Sequence, residues 1–180
     1  DDRVLTSDTA TPATAASWRL PVQIAEPAKA FSRGGSVIER PLPRRWSEGL
    51  GELLGHLVGD GDLTEHRAEW VYGGDDQRDG LLGAHRALLE ELVGTVSEQS
   101  MDNGTVQLRA GSAALRRLLR GLGASSARAH DKRVPASVFL APAEVQRAFL
   151  RGLFGADGCV ARIEGGGKAT RYVGLGSRSR

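Results

Sequence analysis

The sequence predicts an α+β fold built from αββαββα units, one complete and a second begun. Two observations predict it. Periodicities run helix, two strands, helix, two strands, helix, and then helix and two strands again. And Leu53-Leu54-Gly55-His56-Leu57-Val58-Gly59-Asp60-Gly61 recurs as Leu150-Arg151-Gly152-Leu153-Phe154-Gly155-Ala156-Asp157-Gly158, each copy closing a leucine-rich helix before strand signals. With 180 residues, 40% of them apolar, the chain can build one substantial core or two small ones.

Each element can be justified in order. Residues 1–45 are rich in Thr, Ala, Ser and Pro and read as an extended lead-in, with Val4-Leu5 and Leu20-Pro21-Val22-Gln23-Ile24 as candidate short strands. Ser47 is placed to cap a helix, Glu48 suits its first turn, and Leu50, Leu53, Leu54, Leu57 and Val58 form one apolar stripe. Glu69-Trp70-Val71-Tyr72 is a strand by aromatic and β-branched content. A long helix opens at Asp75-Asp76. Strands near 95–101 and 105–110 flank the turn signal Asp102-Asn103-Gly104. Ser112 caps the next helix, which Gly123 stops. Residues 124–134 read as a linker, followed by an apolar turn at 138–140. A last helix runs from about Pro142 to Asp157-Gly158, and strands near 159–164 and 169–175 surround Gly165-Gly166-Gly167. Ser177 is a natural helix cap.

Composition narrows the function classes. No stretch approaches the roughly 20 apolar residues of a membrane helix, and no membrane partner is expected. Asp1-Asp2-Arg3-Val4-Leu5 does not read as a signal peptide and, lacking Met, reads as the start of an excised piece. A lone cysteine, Cys159, excludes an internal disulfide and points to the cytoplasm. His56, His66, His85 and His130 lack zinc-site spacing, and none is expected to bind metal. The net charge of +2 conceals an asymmetry: residues 109–180 hold 14 of the 24 basic residues but only 4 of the 22 acidic ones. A basic half suits a polyanion such as nucleic acid, although an arginine-rich solvated surface would look the same.

The paired motif carries the chemistry. Gly55 and Gly59 lie on one helix face, and Gly152 and Ala156 repeat the spacing, so two such helices can pack at backbone distance. Each helix ends in Asp-Gly, the glycine being suited to a left-handed helix stop. A carboxylate at a helix C-terminus faces an unfavourable dipole, which a divalent cation would offset. Packed side by side, the helices bring Asp60 and Asp157 together as hard oxygen ligands suited to Mg2+. A single copy would be no more than a leucine-rich helix with a glycine stop; two copies in register are far more specific.

The pair resembles the LAGLIDADG (dodecapeptide) homing endonucleases, and its flanks resemble the endonuclease domain of bacterial inteins. Asp131-Lys132-Arg133-Val134-Pro135 is similar to their lysine-containing block, residues 172–180 to the start of the block after the second motif, and residues 1–5 to the end of the first splicing half. The host resembles a cobalamin-dependent ribonucleotide reductase. On this resemblance, 1–45 is a splicing-domain remnant and linker, 46–123 the first repeat, 124–141 a linker, and 142–180 the start of a truncated second repeat.

The resemblance implies a pseudo-symmetric, monomeric, site-specific endonuclease with saddle-shaped sheets over double-stranded DNA, embedded between the exteins of a host protein. Asp60 and Asp157 would hold Mg2+, with help from the carbonyls of Gly59 and Ala156. Lys132 would polarise a phosphate or position water. The sixth motif position, acidic in the name-giving sequence, is Val58 or Gly155 here. No splicing nucleophile and no terminal His-Asn is found, so splicing is not expected and cleavage is expected to be impaired.

Gln107, Arg109, Arg162, Lys168 and Arg171 are expected on a groove-facing side of the strands, arginine pairing with guanine and glutamine with adenine. Trp70 and Tyr72 are expected to pack in the interior. The alternatives are a non-catalytic DNA-binding module and an inactive intein remnant on the same fold.

Overall fold

The computed structural model describes residues 16–31, 36–126, 131–165 and 168–176. The first expected strand, Val4-Leu5, the Gly165–Gly167 turn in part, His130 and the Ser177 cap lie outside them. The mixed α+β architecture with antiparallel sheets is the one the sequence predicts.

Two helices form the centre. Helix α1 (Glu48–Asp60) starts where Ser47 Oγ accepts from the Leu50 N–H at 3.1 Å, the predicted cap. Its leucines 50, 53, 54 and 57 are all buried. Strands β3 (Gly61–Leu63) and β4 (Ala68–Tyr72) follow. Next come a short α2 (Asp75–Gln77), a π-helical stretch (Arg78–Leu82) and α3 (Gly83–Val93), together the long helix expected from Asp75. Strands β5 (Ser97–Ser100) and β6 (Val106–Ala110) are joined by the expected turn, in which Gly104 has φ 82°. Helix α4 (Ala113–Gly121) is capped by Ser112 Oγ.

These strands form one antiparallel sheet of order β3-β4-β6-β5, with Trp70 opposite Leu108. Its inner face carries Trp70, Tyr72 and Leu108, all fully buried, as expected of the two aromatics. Trp70 Nε1–H donates to the Leu53 carbonyl at 2.9 Å, which locks the sheet to α1.

The lead-in is more structured than expected. Leu20–Ile24 is not a strand; Pro21 has no N–H to offer a ladder, and Gln23 Nε2 donates instead to the Leu20 carbonyl. The pairing occurs later, between β1 (Ala28–Phe31) and β2 (Val37–Arg40). Leu20, Ala28, Leu42 and Trp46 join the same core as α1. In the expected linker, residues 138–140 are not a simple turn: a short α5 (Ala136–Phe139) forms and buries Val138. Helix α6 (Ala143–Asp157) then leads into the antiparallel ribbon β7 (Gly158–Gly165) and β8 (Lys168–Leu175).

Candidate active site at the paired helix ends

Helices α1 and α6 run parallel, in contact along their length. A Cβ on Gly55 would lie 2.0 Å from the Phe149 carbonyl oxygen, and one on Gly152 would lie 2.0 Å from that of Glu52. Backbone therefore meets backbone, as the small-residue spacing predicts. Arg151 bridges the pair on the surface, its Nε donating to Glu52 Oε1 at 2.8 Å.

The parallel arrangement delivers both C-termini to one place. Asp60 and Asp157 are the last residues of α1 and α6. A Cβ on Gly59 would lie 2.6 Å from the Ala156 Cβ and 3.3 Å from Asp157 Oδ2. Burial, and then the nearby charge of Asp157, push the Asp60 carboxyl above its usual range, while Lys132 pulls it back. The glycines that follow are not left-handed as expected. Gly61 (φ −139°) and Gly158 (φ −76°) are extended, because the chain passes directly from helix into β3 and β7. Glycine is required for space: a Cβ on Gly158 would lie 2.2 Å from the Phe154 carbonyl oxygen.

Lys132 reaches the same end. Its Nζ donates to the Gly61 carbonyl at 2.7 Å and to those of Leu57 and Gly59 at 3.4 Å. It thereby caps the α1 terminus, where a cation is favoured. Burial lowers its pKa, opposed by the charges of Asp60, Asp157 and Asp62. Sequence reasoning missed the counterpart on α6. Gln77 Nε2 donates to the carbonyls of Gly155 at 2.9 Å and Ala156 at 3.2 Å, and its Oε1 accepts from the Gly73 N–H at 2.5 Å. The carbonyls of Gly59 and Ala156, expected as metal contacts, thus already accept one hydrogen bond each, which leaves each a second lone pair.

Among the described residues no group of three or more His, Cys, Asp and Glu is placed to hold a metal. Two carboxylates with carbonyls beside them suit a hard cation that keeps waters and takes substrate phosphates, rather than one held in an all-protein cage. Beneath the site, His56 Nε2 lies 2.7 Å from the Val71 carbonyl, and the Tyr72 hydroxyl lies 2.8 Å from His85 Nδ1. All three rings are buried.

The strand residues divide. Gln107 and Arg109 share a phase on β6, facing away from the core. Arg162 pairs with Arg171 across the ribbon, but Lys168 pairs with Gly165, three positions from Arg171, so position 168 is out of phase with 171. The five do not form one side, contrary to expectation. Gln99, Glu69 and Arg67, not singled out from sequence, join the Gln107–Arg109 face.

The architecture and its helix ends define an α+β protein with a two-carboxylate centre between parallel helices. A family model described as a LAGLIDADG-like domain matches residues 144–180, which hold the second motif. No curated protein matches the chain. Among solved structures, the chain is similar to a variant of the homing endonuclease I-DmoI bound to nicked target DNA with manganese, at 20% identity and TM-score 0.46, over 62% of this chain and 63% of that one. It is also similar to I-DmoI with DNA and calcium, at 19% identity and TM-score 0.46, over 64% of this chain and 63% of that one. The chain thus spans about 63% of the length of these structures.

Proposed function

We propose that this chain is the DNA-cleaving domain of an intein-encoded homing endonuclease of the LAGLIDADG type, hydrolysing phosphodiester bonds in double-stranded DNA with Mg2+. The observation that carries the reading is the convergence of Asp60, Asp157 and Lys132 at the joined ends of α1 and α6. Asp60 and Asp157 hold the cation, whose bound form supplies charge stabilisation to the attacking and leaving oxygens. Asp60 is suited to this because partial burial and the neighbouring Asp157 disfavour its charged form, which a cation would offset. Lys132 holds its ammonium beside the carboxylates, where it can meet a scissile phosphate. Gln77 fixes the end of α6 and, through it, Asp157.

The intein setting and flanking exteins rest on the resemblance of 1–5, 131–135 and 172–180 to intein blocks, and a ribonucleotide reductase host rests on overall resemblance alone. Monomeric, cytoplasmic action goes with that setting. The domain, in its full-length parent, is incubated with the uninterrupted host allele and Mg2+. Cleavage should occur and should be lost in Asp60→Asn and Asp157→Asn. Unchanged cleavage in both variants refutes the metal assignment; a salt-sensitive gel shift without nicking by the parent favours a binding module.

A further inference from the structure

The outer face of the four-stranded sheet carries a network that the cleavage chemistry does not use. Glu69 lies on that face of β4, yet only 7% of it is exposed. Its Oε2 accepts from Arg109 Nε at 2.5 Å and from Arg67 Nε at 3.0 Å. The two terminal nitrogens of Arg109 donate to the Oε1 atoms of Gln99 and Gln107. Gln99 and Gln107 are direct partners across the β5–β6 ladder, and Glu69 faces Arg109 across β4–β6.

A guanidinium has donors only, so each amide must turn its oxygen toward Arg109 and its NH2 away. A glutamine reads adenine with both ends of the amide, accepting from N6 and donating to N7. With the oxygen already engaged, that bidentate contact is weakened. What remains is a pair of donor groups on neighbouring strands. Guanine offers two acceptors, O6 and N7, in the major groove, whereas the cytosine N4 amine would set donor against donor.

We propose that the Glu69–Arg109 pair is a positioning device that sets Gln99 and Gln107 as a donor-only reader of guanine in duplex DNA. The proposal rests on the DNA-binding reading above. It reverses the simple assignment of arginine to guanine and glutamine to adenine. Arg109, its side chain 27% exposed, acts as an internal counter-ion; Arg67, at 46%, is the arm left for phosphate.

The test is selection of bound duplexes from a library with randomised central base pairs, using the full chain and sequencing the bound pool. The parent should enrich guanine at two neighbouring positions, by about tenfold over adenine, as expected of good base-edge contacts. Gln99→Ala and Gln107→Ala should each lose one of these preferences. The double variant Glu69→Gln/Arg109→Met, which leaves no unpaired buried charge, should admit adenine at both positions. Gln107→Glu covers the case in which that double variant fails to fold. It keeps the acceptor for Arg109, removes the outward donor, and should lose guanine at one position while its melting temperature is held. Retention of guanine in the Gln→Ala variants with loss in the arginine variant makes Arg109 the reader and overturns the proposal. Binding without base preference also overturns it, with DNA binding itself intact. Absence of any salt-sensitive binding to the library removes the DNA-binding reading and the proposal together.

Discussion

Replacing Gly152 by alanine tests whether the α1–α6 crossing sets the site. The added Cβ would lie 2.0 Å from the Glu52 carbonyl oxygen and 2.9 Å from the His56 nitrogen. Carbon and oxygen rest at about 3.3 Å or more, so the helices must separate locally by about 1.3 Å. Both obstacles are backbone, with no side chain to swing aside, which places the strain near the upper end of the usual overpacking range, about 3 kcal/mol. Alanine recovers about 1 kcal/mol over glycine in helix propensity. The net loss is about 2 kcal/mol, and in a chain of this size it lowers Tm by roughly 4–8 °C. Gly83 on α3 is the control, since a Cβ there meets nothing within 4 Å. Gly83→Ala should raise stability by up to about 1 kcal/mol. Urea and thermal unfolding of the two variants against the parent give the comparison. If Gly152→Ala is as stable as the parent, the crossing is looser than the geometry states, and the account of how Asp60 meets Asp157 fails. On the proposed function, the same substitution should also reduce DNA cleavage by about 100-fold, as expected when reacting groups are displaced by an ångström.

Three further outcomes follow from the site and its support. Burial pushes His85 down to about 3, with the charge of His56 acting in the same direction. The unfolded chain takes up a proton near pH 6.5 that the folded chain refuses until about pH 3. The stability held above pH 6.5 is therefore lost as pH falls through that window, by about 1.4 kcal/mol per pH unit from this group; a urea midpoint that stays flat between pH 7.5 and 5 would sink this account. Asp60→Asn removes a half-buried carboxylate whose charged form is disfavoured. It should raise Tm without divalent cation and abolish any rise on adding Mg2+, both read by calorimetry. Gln77→Leu uncaps the end of α6 and should cost about 1–2 kcal/mol in chemical denaturation; an unchanged midpoint would mean that solvent replaces the amide at no cost.

Legibility in the sequence followed the range of the interactions. The cap at Ser47, the leucine stripe of α1 and the turn at Gly104 are local and were readable. So was the pairing of Asp60 with Asp157, because small residues four apart imply close approach whatever the tertiary detail. The β1–β2 hairpin was not. Ala28 and Ala30 have little strand preference and pair because burial against the helices selects them. The glycine ends were misread as left-handed because nothing local distinguishes a helix that stops from one that runs directly into a strand. The engagement of Arg109 by Glu69 was not readable for a similar reason, since Glu69 is 40 positions away and meets it only through strand register.

Gln77 shows why the site could be read only in part. It acts on α6 from 78 positions away, and Lys132 acts on α1 from 73. Each helix end is therefore closed by a residue from the other half of the chain. Lys132, which precedes α6, satisfies the carbonyls of α1, and Gln77, which follows α1 and its strands, satisfies those of α6. A defect in either half then reaches both carboxylates. The two aspartates can be found from one repeated motif, but the distance between them is a property of the crossing and of this exchanged pair of caps.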